Sequence, residues 1–144
     1  VRCGGGQNHR AGLHDAVLIK DNHLVGIPAS RLAAAVFDML NRAASLNPPP
    51  TFIECEVDSL EQFDALLDVV GIDVILLDNF SLKDMHEAVK RRDNRNLKGK
   101  VALEASGGVT LEQVRTIADT GVERIAVGAI THSAPAIDIA MECA

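Results

Sequence analysis

A lysine and two acids stand where short apolar runs stop. Lys20 follows Val17-Leu18-Ile19, Glu56 closes Phe52-Ile53-Glu54-Cys55, and Asp78 closes Val74-Ile75-Leu76-Leu77. A charge bordering an apolar run is costly unless it meets a partner or a ligand. Lys20 could clamp an anion, serve as a Schiff-base nucleophile if neighbouring cations depressed its pKa, or simply pair with Asp21. Glu54 and Glu56 alternate with Cys55, so both point to the face opposite the thiol. Two carboxylates on neighbouring tips, Glu56 and Asp78, with no His or Cys cluster at metal spacing, suit Mg2+ rather than Zn2+. Mg2+ is held by one or two carboxylates together with phosphate oxygens. Asp78 could instead cap a helix starting after Phe80, a role for which Ser81 competes.

Three glycine-bearing segments add a second kind of chemistry. Gly4-Gly5-Gly6-Gln7-Asn8-His9-Arg10 is a flexible backbone leading to two side chains that can hold an anion. Arg10 offers a planar fork for a carboxylate or phosphate, and His9 can donate beside it. The segment is neither a Walker A loop nor a complete dinucleotide fingerprint, so neither route to a nucleotide is supported. Ser106-Gly107-Gly108 precedes a helix start at Thr110, where backbone N–H groups can approach an anion closely. Gly128 ends the next apolar run, with Thr131, His132 and Ser133 just beyond. His14 and His86 have no partner in the sequence and read as surface or capping residues, while His23 is open between roles.

These tips need elements to position them. Five apolar runs, at Val17–Asp21, Phe52–Glu56, Val74–Asp78, Val101–Gly108 and Ile125–Gly128, read as buried parallel strands. Helical stripes lie between them. Leu32, Val36, Met39, Leu40 and Ala43 form the first, with Pro28 near its start and Pro48-Pro49-Pro50 as its stop. Ser59-Leu60-Glu61-Gln62 opens the second as a capping box, with Leu60, Phe63, Leu66, Leu67 and Val70 inward and Gly71 at its end. A third follows Ser81 with Leu82, Met85, Ala88 and Val89 inward. Thr110-Leu111-Glu112-Gln113 opens the fourth, which closes at Gly121. Repeated βα units imply a parallel sheet whose strand tips share one edge, so Lys20, Glu56, Asp78, Ser106 and Gly128 should converge. Functional tips after every strand favour a barrel over an open sheet, whose site would sit at one switch point.

Composition narrows the rest. The 144 residues carry a net charge of −6, which argues against broad binding to nucleic acid. The one basic cluster, Lys90-Arg91-Arg92 with Arg95, is expected on the solvent side and C-terminal end of a helix. No apolar run is long enough to span a membrane. Three unpaired, widely spaced cysteines, Cys3, Cys55 and Cys143, fit a reducing cytoplasm. With Trp and Tyr absent, aliphatic residues must build the core. Val1 leading at once into Gly4-Gly5-Gly6 suggests a piece that starts inside a domain.

Together these segments resemble quinolinate phosphoribosyltransferases. The resemblance rests on Gly5–Arg10, Ile19-Lys20-Asp21-Asn22-His23, Glu56-Val57-Asp58, Leu77-Asp78-Asn79, Glu104–Gly108 and Val127–Ser133, in family order along essentially the whole chain. It implies an α/β barrel of fewer than eight strands, with residues 1–144 as a C-terminal catalytic barrel domain truncated on its N-terminal side. The N-terminal sandwich domain would be absent. It implies transfer of phosphoribosyl from phosphoribosyl pyrophosphate to quinolinate, with release of pyrophosphate and CO2 and formation of nicotinate mononucleotide. On the family pattern His9, Arg10 and Lys20 face quinolinate. Lys20, Glu56 and Asp78 are catalytic, and Glu56 and Asp78 hold Mg2+, directly or through substrate or water, or the ribose hydroxyls. Ser106, Gly107, Gly108, Val127, Gly128, Ala129 and His132 cradle the phosphate. A homodimer or larger homo-oligomer is implied, with the partner subunit completing the site. Family members carry a further Arg-Lys motif before this stretch and an Arg from the partner's N-terminal domain, so this piece alone is expected to be inactive.

Two other readings stay open at this level. One is a different phosphate-binding barrel enzyme, such as a Schiff-base aldolase using Lys20. The other is a non-catalytic half-barrel that serves only in assembly.

Overall fold

The computed structural model describes residues 1–142, and Cys143 lies outside the described residues. Five strands form one sheet: β1 (Val17–Ile19), β2 (Ile53–Val57), β3 (Val74–Asp78), β4 (Ala102–Ser106) and β5 (Arg124–Ile125). They lie in sequence order and every pair is parallel. Without a reversal of strand order, right-handed crossovers return every helix on the same side of the sheet. That is the winding of a barrel segment, as the even spread of functional tips predicted. An open doubly wound sheet would reverse at a switch point.

The helices are α1 (Ala29–Ala44), α2 (Leu60–Leu66), α3 (Leu82–Asn94), α4 (Leu111–Ala118) and a single turn, α5 (Ala129–His132). Pro28 caps α1, where its fixed φ and missing N–H do no harm, and the Pro48–Pro50 stretch follows its end. Ser59 caps α2 by accepting from the Gln62 N–H. Thr110 and Gln113 form a reciprocal capping box on α4. Ser81, rather than Asp78, caps α3, accepting from the Asp84 N–H at 3.2 Å. Asp78 is thereby left free for other work.

Alternation along the strands sorts their side chains into two unlike faces. Ile19, Cys55, Ile75, Leu77, Leu103 and Ala105 pack under the helices against Val36, Phe63, Leu66 and Ala88. The opposite face carries Glu54, Glu56, Asp78, Glu104, Ser106 and Arg124. The register aligns Leu76 with both Glu56 and Glu104, and Glu104 with Arg124. One face is therefore core, and the other a row of charges.

Three side chains differ from the sequence expectation. Val70 is exposed and Val69 is buried in its place. The regular helix stops at Leu66, and the turn after it changes the phase of the stripe. Leu82, in the first turn of α3, is 44% exposed because that turn overhangs the core. The largest departure is Arg92, expected on the solvent side yet wholly buried. Its Nε donates to Asp93 Oδ1 at 2.9 Å, and its Nη1 donates to Glu123 Oε2 at 2.6 Å and to the Val101 carbonyl at 3.2 Å. Glu123 Oε2 also accepts from the Leu103 N–H at 2.9 Å, so α3, β4 and the turn before β5 are tied at one point.

Removing Arg92 leaves a cavity, and leaves two partly exposed acids and the Val101 carbonyl without their donor, together a cost of about 3 kcal/mol. Arg92→Ala should therefore lower the unfolding free energy by about that amount. Arg92→Met refills the space but leaves the same acceptors without a donor, so it should recover only the packing share of that loss, about 1 kcal/mol. Denaturant unfolding of the two variants checks this. An Ala variant as stable as the parent would show that the buried arginine contributes nothing.

Candidate active site

The C-terminal ends of the strands meet along one edge, as parallel winding requires. Lys20, directly after β1, reaches across to β2, where its Nζ lies 3.3 Å from Glu56 Oε2. The lysine is about half exposed while Glu56 is buried, so the pair presents one cationic head above a sequestered carboxylate. Lys20 thus pairs with Glu56 and not with Asp21. The turn after it is held by its own N–H donating to His23 Nδ1 at 2.9 Å, which gives His23 a local capping role.

At the tips of β3 and β4 the two strands interlock. Asp78 is aligned with Ser106. The Asn79 N–H donates to the Ser106 carbonyl at 2.9 Å, and Asn79 Nδ2 donates to Asp78 Oδ2 at 2.7 Å. Asn79 adopts a left-handed backbone with φ 55°, a conformation Asn tolerates better than most residues. Gly107, with φ 101°, lies against it so closely that an added Cβ would sit 2.2 Å from Asn79 Oδ1. Gly108 also has positive φ, yet nothing lies within 4 Å of the place its Cβ would occupy. Ser106, Gly107 and Gly108 therefore offer bare backbone in front of the residue that caps α4, a geometry suited to an anion.

His9 and Arg10 fold back over the charged face of the sheet. His9 Nε2 lies 2.6 Å from Glu54 Oε2 and 3.7 Å from Glu104 Oε1. The His9 ring stands edge-on to Phe52, with ring centres 5.4 Å apart. Arg10 is anchored by Nη1 donating to the Ala16 carbonyl at 3.4 Å. Arg124 lies over the face of Phe52 at 5.4 Å, with Nη1 3.9 Å from Glu104 Oε2. His9, Arg10, Glu104, Arg124, Gly128 and Thr131 line an open cavity of about 750 Å³. Such a volume admits a substrate-sized molecule.

Burial controls the electrostatics here. The Glu54 carboxyl is pushed up to about 7 by loss of hydration, with Glu56 adding to the rise and Arg124 and Arg10 opposing it. Glu104 is raised as well, first by burial and then by Glu54, against the pull of His9 and Arg124. Cys55 is pushed up to about 12 by burial and the two flanking acids, which marks it as an inert core thiol.

The expected residues thus fall into three groups, one bordering the cavity over the charged face and two at the strand tips, outside the cavity's lining. His9, Arg10, Val127 and Gly128 border the cavity. Lys20 pairs with Glu56. Asp78 joins Ser106 and Gly107 through Asn79. Val127 is partly buried against the core while also lining the cavity. Gly128 and Ala129 begin the single turn α5, where a Cβ on Gly128 would come within 3.2 Å of the His132 ring. His132 is exposed and bonds to Ser133 Oγ at 2.6 Å. Among the described residues, the one cluster offering three metal-ligand atoms within 4.8 Å is His9, Glu54 and Glu104, and it includes neither Glu56 nor Asp78.

Three functional-face residues carried no role in the sequence reading: Glu54, Glu104 and Arg124. Glu104 was legible in principle, since an acid inside Leu103-Glu104-Ala105 must alternate away from the helices. Arg124 precedes its apolar run, and only the register with Glu104 brings it inward.

The family model described as quinolinate phosphoribosyl transferase, C-terminal domain, matches residues 1–142. A carboxylating nicotinate-nucleotide pyrophosphorylase of Mycobacterium leprae is 47% identical over 142 residues, covering 99% of this chain and 46% of the relative. A decarboxylating quinolinate phosphoribosyltransferase of Nicotiana tabacum is 35% identical, covering 99% of this chain and 42% of its own length. Among solved structures, the nicotinate-nucleotide pyrophosphorylase of Francisella tularensis superposes with a TM-score of 0.75 at 39% identity, over 95% of this chain and 44% of that one. NadC of Streptococcus pyogenes does so with a TM-score of 0.77 at 30% identity, over 99% and 46%. The chain spans about half the length of the curated relatives it matches. On the match to its family model across residues 1–142, the chain belongs to the quinolinate phosphoribosyl transferase family and corresponds to the C-terminal domain of that family.

Proposed function

We propose that residues 1–144 are the catalytic barrel domain of an enzyme that moves phosphoribosyl from phosphoribosyl pyrophosphate to the ring nitrogen of quinolinate, a step of NAD biosynthesis. The carrying observation is that the Lys20–Glu56 pair and the Asp78–Ser106–Gly107 knot lie at the C-terminal tips of one parallel sheet, whose charged face bears the cavity bordered by His9 and Arg10. A dianionic aromatic acid needs cations that water cannot displace, and Arg10 and His9 border a cavity of suitable size. Lys20, above a buried carboxylate, stands at the strand tips, where the donor would be met.

The reaction forms a bond between the ring nitrogen and ribose C1 while the C1–pyrophosphate bond breaks. The ring carboxylate next to the nitrogen then leaves as CO2, and its electron pair takes up a proton. Positive charge grows on the ribose and negative charge on pyrophosphate. Preorganised charges that meet both supply the largest catalytic contribution in reactions of this type. Asp78, half-buried with one carboxylate oxygen held by Asn79, and Glu56, on the neighbouring strand and the same face, are oxygen donors of the kind Mg2+ takes. In this reading they hold the ion directly, or through substrate or water. Mg2+ supplies charge neutralisation of the leaving pyrophosphate. Ser106, Gly107, Gly108, Val127, Gly128 and Ala129 present backbone to the 5′-phosphate, with His132 beside them.

A second subunit is proposed to complete the diacid clamp in a homodimer or larger homo-oligomer. No helix among the described residues is long and apolar enough to cross a membrane. The cytoplasm, where the free thiols of Cys3 and Cys55 stay reduced, is the compartment we propose. A Schiff-base role for Lys20 is disfavoured by its pairing with Glu56, the reverse of the cation-rich setting that activates a lysine amine. Full-length protein assayed with phosphoribosyl pyrophosphate and Mg2+ should release CO2 and pyrophosphate with quinolinate and not with nicotinate. Turnover of nicotinate alone would overturn the assignment.

A further inference from the structure

The His9–Glu54 contact is a short hydrogen bond to a carboxylate with no solvent exposure, and Glu54 Oε1 has no partner among the described residues. A neutral ring donating Nε2–H to an ionised Glu54 would leave a bare Nδ1 lone pair as its other polar group, which repels an anionic ligand. Two arrangements avoid that. Either the shared proton sits on Glu54 and the neutral ring carries its N–H on Nδ1, or it sits on Nε2 and the ring is an imidazolium protonated at both nitrogens. Both leave an Nδ1–H as the ring's remaining polar group. The ring is one-third exposed and lines the cavity.

The surroundings favour this arrangement. Phe52 fixes the ring plane edge-on, and Arg124 stacks on Phe52 while approaching Glu104. Glu104 lies near the same His9 nitrogen at 3.7 Å, and Arg124 offsets the second acid. These groups form a floor beneath the cavity, one layer below the strand tips.

We propose that Glu54 is a positioning residue that sets the tautomer and orientation of His9, so that Nδ1–H donates to a carboxylate of the substrate, with Glu104, Arg124 and Phe52 as the supporting floor. This rests on the reading that the cavity takes a dicarboxylic acid. Glu54 itself touches no substrate and acts through the imidazole.

Glu54→Gln and Glu54→Leu separate positioning from bulk. A glutamine amide can donate to Nε2 and keep the N–H on Nδ1, whereas leucine fills the space and leaves the ring free to turn. In the full-length protein, Glu54→Leu should raise the KM for quinolinate roughly ten- to a hundredfold with kcat changed far less, as loss of a hydrogen bond to a charged group would. Glu54→Gln should restore most of the loss. Adding Glu54→Leu to a His9→Ala background should cost little more, because coupled residues are not additive. Nitrogen NMR of histidine-labelled protein should show Nδ1–H at His9 in the parent and mixed tautomers in Glu54→Leu. An unchanged KM in Glu54→Leu, additive losses with His9→Ala, or a parent His9 bearing its proton only on Nε2 would each overturn the proposal. If the parent turns over no quinolinate, the functional reading fails, while the NMR tautomer still decides the positioning role.

Discussion

Replacing Asp78 with alanine in the full-length protein should lower kcat/KM roughly a thousandfold and abolish the Mg2+-dependent part of phosphoribosyl pyrophosphate binding. The size follows from losing one preorganised charge aimed at the reacting centre, an effect of roughly a hundred- to a thousandfold. Asp78 is suited to that role because the fold does not otherwise need it. It closes β3 with a half-buried side chain, Ser81 has taken the cap of α3, and its one side-chain hydrogen bond comes from the adjacent Asn79. Stability should therefore change by about 0.5 kcal/mol or less, as for a surface substitution. Calorimetry with and without Mg2+ separates binding from chemistry, and Asp78→Asn distinguishes charge from shape. A variant that binds the donor with the parent's Mg2+ dependence would remove Asp78 from the metal and ribose site. The remaining metal-capable cluster, at His9, Glu54 and Glu104, lies within a network that Arg124 already helps to neutralise.

The strand tips were legible because an apolar run can stop on a charge only where the chain leaves the core. Lys20, Glu56, Asp78 and Ser106 followed from that rule, and parallel winding then forced them to one edge. The floor beneath them was not legible, since it depends on which residues on separate strands share a row. Glu104 and Arg124 are twenty residues apart in sequence and directly paired in the sheet. No local pattern shows that pairing. Arg92 misled for the opposite reason. Within Lys90-Arg91-Arg92 it looks like its neighbours, yet only its position faces inward, and a carboxylate from the turn before β5 makes that burial tolerable. Val70 shows a third limit, because a helical stripe says nothing about where the helix ends. The polar floor also explains why the sheet has one charged face. In a barrel that face is the lumen, and ionic pairs can fill it where helices cannot reach.

Gly107→Ala should be the most damaging glycine-to-alanine change among the described residues. Two separate costs meet there. With φ 101° the backbone lies where an L side chain is strained, worth about 1–2 kcal/mol. The new Cβ would also lie 2.2 Å from Asn79 Oδ1 and 2.9 Å from the Asn79 backbone nitrogen, so the side chain alone cannot move aside. Overpacking of this kind costs roughly another 1–3 kcal/mol. Unfolding free energy should fall by about 3 kcal/mol. Gly108→Ala provides the matched control, with positive φ of 56° and open space around the added methyl. It should lose only about 1 kcal/mol. The functional consequence should separate the two further. Moving Asn79 breaks its N–H bond to the Ser106 carbonyl and releases the Asp78 carboxylate it holds, so the proposed metal and phosphate contacts should fail together. Donor binding should weaken at least about a hundredfold in Gly107→Ala, the loss of one or two charge-assisted hydrogen bonds, and only a few-fold in Gly108→Ala. Equal losses in the two variants would mean that the anion meets the bare backbone of both glycines alike, and that the contact with Asn79 has no part in building the site.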